Sequence, residues 1–183
     1  MPWTLLARDL LISAAMLSLW AGADAAYAVM DSSFVGLISV LDAFLAALAV
    51  GYIVHEWGHF AGARLSGGVA PANGWKDLQL FRFDFEQSQP LHFVWMTIVG
   101  NLTPWLLTLV IAVSVPLDTP GRSFLFAVAF SGSVFVNITE LPVLWKTLHG
   151  TDPLTALRSL RGPVLMRNGI AALTLALLVA AVF

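Results

Sequence analysis

Residues 34–62 read FVGLISVLDAFLAALAVGYIVHEWGHFAG. The run is longer than the roughly 20 apolar residues that cross a bilayer, yet it carries Asp42, His55, Glu56 and His59. Ionisable groups in hydrocarbon are costly unless paired, so their presence marks a functional site. On a helix, His55 and His59 stand one turn apart on one face. That spacing lets two imidazoles grip one metal ion with Glu56 beside them.

The whole chain matches that stretch. Of 183 residues, 58% are hydrophobic and 11% charged, against about 25% charged in ordinary soluble domains. The expected fold is an all-α polytopic membrane protein, with residues 1–183 forming one membrane-embedded domain. Five segments are long and apolar enough to span: about 10–30, 34–62, 91–115, 123–145 and 164–183. The formal net charge of −2 and the lack of a basic run argue against a nucleic-acid partner. With no cysteine, any metal must be held by His, Asp or Glu.

The first span has a second reading. Ala21-Gly22-Ala23 and Ala23-Asp24-Ala25 resemble signal-peptide cleavage sites. The apolar run continues through Tyr27–Met30 and the leader is barely cationic, which favours a retained anchor.

Basic residues then set the orientation. With a cytoplasmic N-terminus, Arg8, Arg64, Lys76, Arg82, Lys146, Arg158, Arg161 and Arg167 all face the cytoplasm, and Arg122 alone faces outward. This predicts a multi-pass protein of the cell (inner) membrane. If Asp42 marks the outer boundary, His55 lies about 20 Å further along the helix, within the cytoplasmic leaflet. Gly58 and Gly62 form a small-x-x-x-small pair that permits close approach of a neighbouring helix.

Between the second and third spans lies the one substantial polar connection, residues 63–90. Gly67-Gly68, Pro71 and Asn73-Gly74 are turn signals. Leu78-Gln79-Leu80 and then Phe81 to Glu86 alternate apolar and polar, with a phase slip at Leu80-Phe81. This predicts a strand with a bulge, within a short membrane-associated β segment around residues 69–86. Such a strand either covers the interface or offers its edge to an extended peptide.

Two imidazoles leave a tetrahedral zinc needing a third protein ligand and an open position for water. The topology brings Asp152, Glu140, His149, His92 and Asp84 to the same side. Asp152 precedes Pro153, which is also the pattern of a helix N-cap. Asn101 and Asn137 lie within spans, where asparagine commonly bonds between helices.

His55-Glu56-x-x-His59, followed by Asn137, Pro142 and Gly150-Thr151-Asp152-Pro153, resembles the site-2 protease family of intramembrane zinc metalloproteases. The resemblance covers mainly residues 50–155. It implies His55, His59 and Asp152 as ligands of one Zn2+ per chain, Glu56 as general base and Asn137 as an active-site polar group. The family pairs Asp with Gly and uses a shorter Asn-to-Asp separation, whereas Asp152 is followed by Pro153.

The expected activity is therefore endopeptidase cleavage of membrane-anchored protein substrates near the cytoplasmic leaflet. A non-catalytic metal- or substrate-binding module on the same fold is the alternative, and intact His55, Glu56 and His59 argue against it. A transporter would want metal-binding groups along a path across the bilayer. Here they crowd at one end, apart from Asp24 and Asp42. The oligomeric state, the substrate and the cut position are left open by the sequence.

Overall fold

A computed structural model describes residues 2–183. Its helices are α1 (Trp3–Met30), α2 (Ser33–Leu65), α3 (Pro90–Ser114), α4 (Pro120–Leu148), α5 (Pro153–Leu157) and α6 (Gly162–Ala180). All but α5 are long and apolar enough to cross a membrane.

Helices α3, α4 and α6 begin earlier than hydropathy predicts because their first turns carry proline. Pro90 and Pro120 sit in the first turn of α3 and α4, where the missing N–H costs nothing. The Thr119 hydroxyl accepts the Arg122 N–H at the start of α4.

Helix α2 is the centre of the bundle, packed against α1, α3 and α4, while α6 leans on α4. Small residues make this possible. Ala43, Ala46 and Ala47 of α2 meet Leu125 and Val128 of α4 and Ala176 of α6 in one buried cluster. Small side chains let backbones approach and gain dispersion where no hydrophobic drive separates helix from lipid.

At the far end of α2, the α1–α4 contact is ionic. Asp24, 3% exposed, accepts Arg122 Nε at 2.7 Å and bonds the hydroxyls of Ser39 and Thr119. Arg122 also reaches Asp118.

The connection between α2 and α3 departs from expectation. Among the described residues there is no strand, only a single antiparallel bridge between Ala72 and Phe81. Three one-way bonds tie the two arms of this ribbon: Asn73 N to Leu80 O, Arg82 N to Pro71 O and Asp84 N to Val69 O. Each reciprocal bond is missing for an identifiable reason. The Leu80 N–H turns instead to Glu56 Oε2. Pro71 has no N–H to give. The Val69 N–H goes to Ser88 Oγ.

The alternation predicted as a strand survives as ring packing. Phe83 and Phe85 pack on Phe93 of α3, and Phe81 packs on Phe60 of α2. Asp84 then turns the chain, accepting the Gln87 and Glu86 N–H groups, and the former above all holds its carboxyl below the usual range.

Candidate metal centre

Three side chains from two helices converge near the last turns of α2. His55 Nε2 lies 3.0 Å from His59 Nε2 and 3.0 Å from Glu140 Oε1. His59 Nε2 lies 3.3 Å from the same oxygen. Among the described residues this is the one group of three or more metal-ligating side chains so gathered.

Backbone chemistry aims both rings. His55 Nδ1 donates to Gly100 O at 2.9 Å, and His59 Nδ1 donates to Met96 O at 3.0 Å. Gly100 O is available because Pro104, four residues on, lacks the N–H that would normally bond it. Thr103 Oγ1 takes part of the same carbonyl.

Pro142 does the equivalent in α4. It frees Ile138 O, which accepts Asn168 Nδ2 from α6 at 3.4 Å. Glu140 sits between the two residues.

Glycines allow the helices this close. A Cβ on Gly62 would stand 2.7 Å from Trp95 O, and one on Gly58 would stand 3.1 Å from the Cα of Gly100. The small-residue pair read from the sequence is thus the α2–α3 contact. Gly100 in turn leaves room for the His59 ring, which its Cβ would enter.

With each Nδ1 protonated and donating, both Nε2 atoms present lone pairs to each other and to a carboxylate oxygen. Such a triangle is repulsive without a cation. A proton relieves one edge at a time, whereas a metal ion meets all three. Ligand atoms about 2.0–2.2 Å from one tetrahedral ion stand about 3.3 Å apart, close to the three separations measured. Carbonyls bonded to the far nitrogen of each ligating His are the usual outer shell of a zinc site. The donor set fits zinc.

Glu140 has its own support. Asn101 Nδ2 donates to Glu140 Oε2 at 2.8 Å and to Thr97 O at 2.9 Å. Both partners are acceptors, so the amide must face them with its NH2. The side chains stay partly accessible, at 13% for His55, 11% for His59 and 21% for Glu140, which leaves an approach for water.

Glu56 lies beside the cluster. It borders, with His59 and Glu140, a cavity of about 280 Å³ roofed by the 69–86 ribbon. Its Oε2 accepts the Leu80 N–H at 3.4 Å. The ribbon is strapped down nearby: Arg8 donates to Trp75 O and Asp77 O, and Tyr52 donates to Leu78 O. Asp9, buried at the α1–α2 contact, fixes both Arg8 Nε and Trp57 Nε1.

Two residues implied by resemblance are not brought to the imidazoles. Asp152 caps α5 instead, its carboxylate accepting the N–H and hydroxyl of Thr155. The Asp-Pro pattern won as an N-cap, and Glu140 is the carboxylate that stands beside the two imidazoles. Asn137 donates back to Ser133 O one turn up its own helix and lines a separate groove with Leu141 and Trp145.

The other candidate ligands are engaged elsewhere: His92 in the α3 cap, His149 on the Trp145 carbonyl and ring, and Asp84 in its turn. The sequence marks Asn101 as an interhelical donor but does not tie it to Glu140, and it does not single out Gly100 and Pro104, which shape the cluster from α3. The available signal was a proline within an apolar run, four residues after a glycine.

Comparison with family models, curated proteins and solved structures gives no match to this chain.

Proposed function

We propose that this chain is an intramembrane zinc endopeptidase that hydrolyses peptide bonds of membrane-anchored proteins. The observation that carries the reading is the meeting of His55 Nε2, His59 Nε2 and Glu140 Oε1, with Glu56 lining one cavity together with His59 and Glu140. His55, His59 and Glu140 hold one Zn2+. When bound, zinc supplies Lewis acidity, lowering the pKa of water toward about 7 and polarising a carbonyl.

Glu56 is the general base. It takes a proton from the attacking water and passes it to the leaving amine. The Leu80 N–H orients one of its oxygens, leaving the other for the proton. Gly100 O and Met96 O keep the Nδ1 protons in place, so that both imidazoles stay neutral ligands through Nε2. Asn101 holds Glu140 by its second oxygen and so keeps the first directed at the rings.

The orientation with the N-terminus cytoplasmic rests on the basic residues. Eight basic residues lie at the cytoplasmic end against Arg122 alone at the other, where it pairs with Asp24 and Asp118. The site then opens toward the cytoplasmic leaflet of the cell membrane.

The test is Glu56→Gln in purified protein, assayed for zinc content and for cleavage of a model transmembrane substrate. The expected variant keeps its zinc and loses cleavage. Full activity in that variant removes the catalytic role, and a wild-type protein that holds zinc without cleaving supports a binding module instead.

A further inference from the structure

The cavity beside the cluster has walls that the chemistry of hydrolysis does not require. Resting on the peptidase reading, we infer that it is a side-chain pocket selecting a large apolar residue, aromatic or long aliphatic, next to the scissile bond.

Its apolar walls come from four elements. Phe81, Phe83 and Phe85 hang from the ribbon, Phe93 rises from α3, Val143 from α4 and Leu157 from α5. The charged groups bordering it are those of the site itself, Glu56, His59 and Glu140. No lysine or arginine borders it, so in the metal-free protein an acidic side chain entering would meet the carboxylates of Glu56 and Glu140 and no cationic side chain to pair with. A basic one would lose its hydration among phenyl rings.

Size agrees. A cavity of about 150 Å³ accommodates benzene, and this one is about 280 Å³, enough for a phenyl ring with its Cβ and part of a peptide backbone. The rings already stand as an aromatic group. Phe83 and Phe85 are 5.0 Å apart at a near-perpendicular tilt, and each lies about 6 Å from Phe93. A further ring can join them edge to face.

Phe93 is 1% exposed, whereas the three ribbon phenylalanines are only half-buried. Their unburied surface is the part that an incoming side chain would cover. A peptide is the committed occupant because Glu56, His59 and Glu140 line the same cavity, so that filling it sets a backbone beside them.

The experiment uses the 183-residue chain in detergent, stripped with chelator so that nothing is hydrolysed. Four fluorescent transmembrane peptides, identical except for Phe, Leu, Ala or Asp at one residue of an unwound segment, are titrated by anisotropy. Phe and Leu are expected to bind at least about tenfold tighter than Ala, as apolar pockets discriminate, with Asp weakest. Phe85→Ala widens the pocket and lowers the Phe-to-Ala ratio. Leu157→Trp fills it from α5 and brings that ratio close to one.

Equal affinity across the four peptides, or a preference that neither variant moves, overturns the pocket. So does oleate displacing all four peptides alike, which would assign the cavity to an acyl chain. The same peptides are then offered to zinc-loaded protein. Selective binding without cleavage sinks the peptidase reading and leaves the pocket standing, while cleavage blind to the varied residue does the reverse.

Discussion

Gly100→Ala is the substitution whose consequence can be worked most fully. The new methyl would stand 2.7 Å from His59 Cγ and closer still to two other ring atoms. Ordinary contact begins at 3.4 Å, so ring or helix must withdraw by about 1 Å. The helix is poorly placed to move, because Gly58 and Gly62 already set α2 against α3 backbone. The ring must therefore shift, and its Nδ1 bond to Met96 O is the first casualty.

Metal sites tolerate about 0.2 Å in ligand distance, several times less than the displacement. Loss of an outer-shell partner alone costs about 10–100-fold in metal affinity, or about 1.4–2.8 kcal/mol. Overpacking adds about 1–3 kcal/mol of lost stability. The assay is competition for zinc against a chromophoric chelator, run below the melting temperature of each variant, with thermal unfolding followed in parallel. Gly132→Ala is the matched control, since a Cβ there meets nothing within 4 Å. It is expected to leave zinc affinity unchanged. If Gly100→Ala binds zinc as tightly as the parent, the packing of Gly100 against His59 is not what shapes the site.

Three further outcomes are expected. Asn101→Leu strips Glu140 Oε2 of its donor and should weaken zinc about 10–100-fold while altering the visible spectrum of the cobalt-substituted protein; an unaltered spectrum would contradict the positioning role. Arg8→Ala frees the Trp75 and Asp77 carbonyls and should speed amide exchange at residues 76–80 by about tenfold, a loss of about 1.4 kcal/mol; unchanged exchange there would show that Arg8 is no strap. Asp24→Ala removes the buried partner of Arg122, which is partly exposed and keeps Asp118, and should cost about 1.5–3 kcal/mol, part of which the Asp24→Ala/Arg122→Ala double variant recovers in unfolding measurements; strictly additive losses would deny the coupling.

What the sequence disclosed and what it concealed divide along the range of the interactions. The five long helices and the pairing of His55 with His59 depend on neighbours within a few turns, and both were legible. Glu140 meets His55 across 85 residues, and no local pattern specifies that contact. Asp152 sat in a stronger local pattern, Asp before Pro, which is a helix cap first. The ribbon at 69–86 shows the opposite failure. Its period-two alternation is real as the packing of Phe81 on α2 and of Phe83 and Phe85 on α3, but Pro71 and the diversion of the Leu80 N–H to Glu56 deny it the paired bonds of a strand. Pro104 and Pro142 could have been read more closely, since each releases a carbonyl one turn back. Which donor takes that carbonyl is a tertiary fact.

The central claim is that Glu140 completes the metal site with the two histidines. Zinc content measured on the purified parent, Glu140→Ala and Asp152→Ala proteins tests it most directly. About one zinc per chain is expected in the parent and in Asp152→Ala, and little in Glu140→Ala. Zinc retained without Glu140 and lost without Asp152, or a parent protein that binds none, would contradict it.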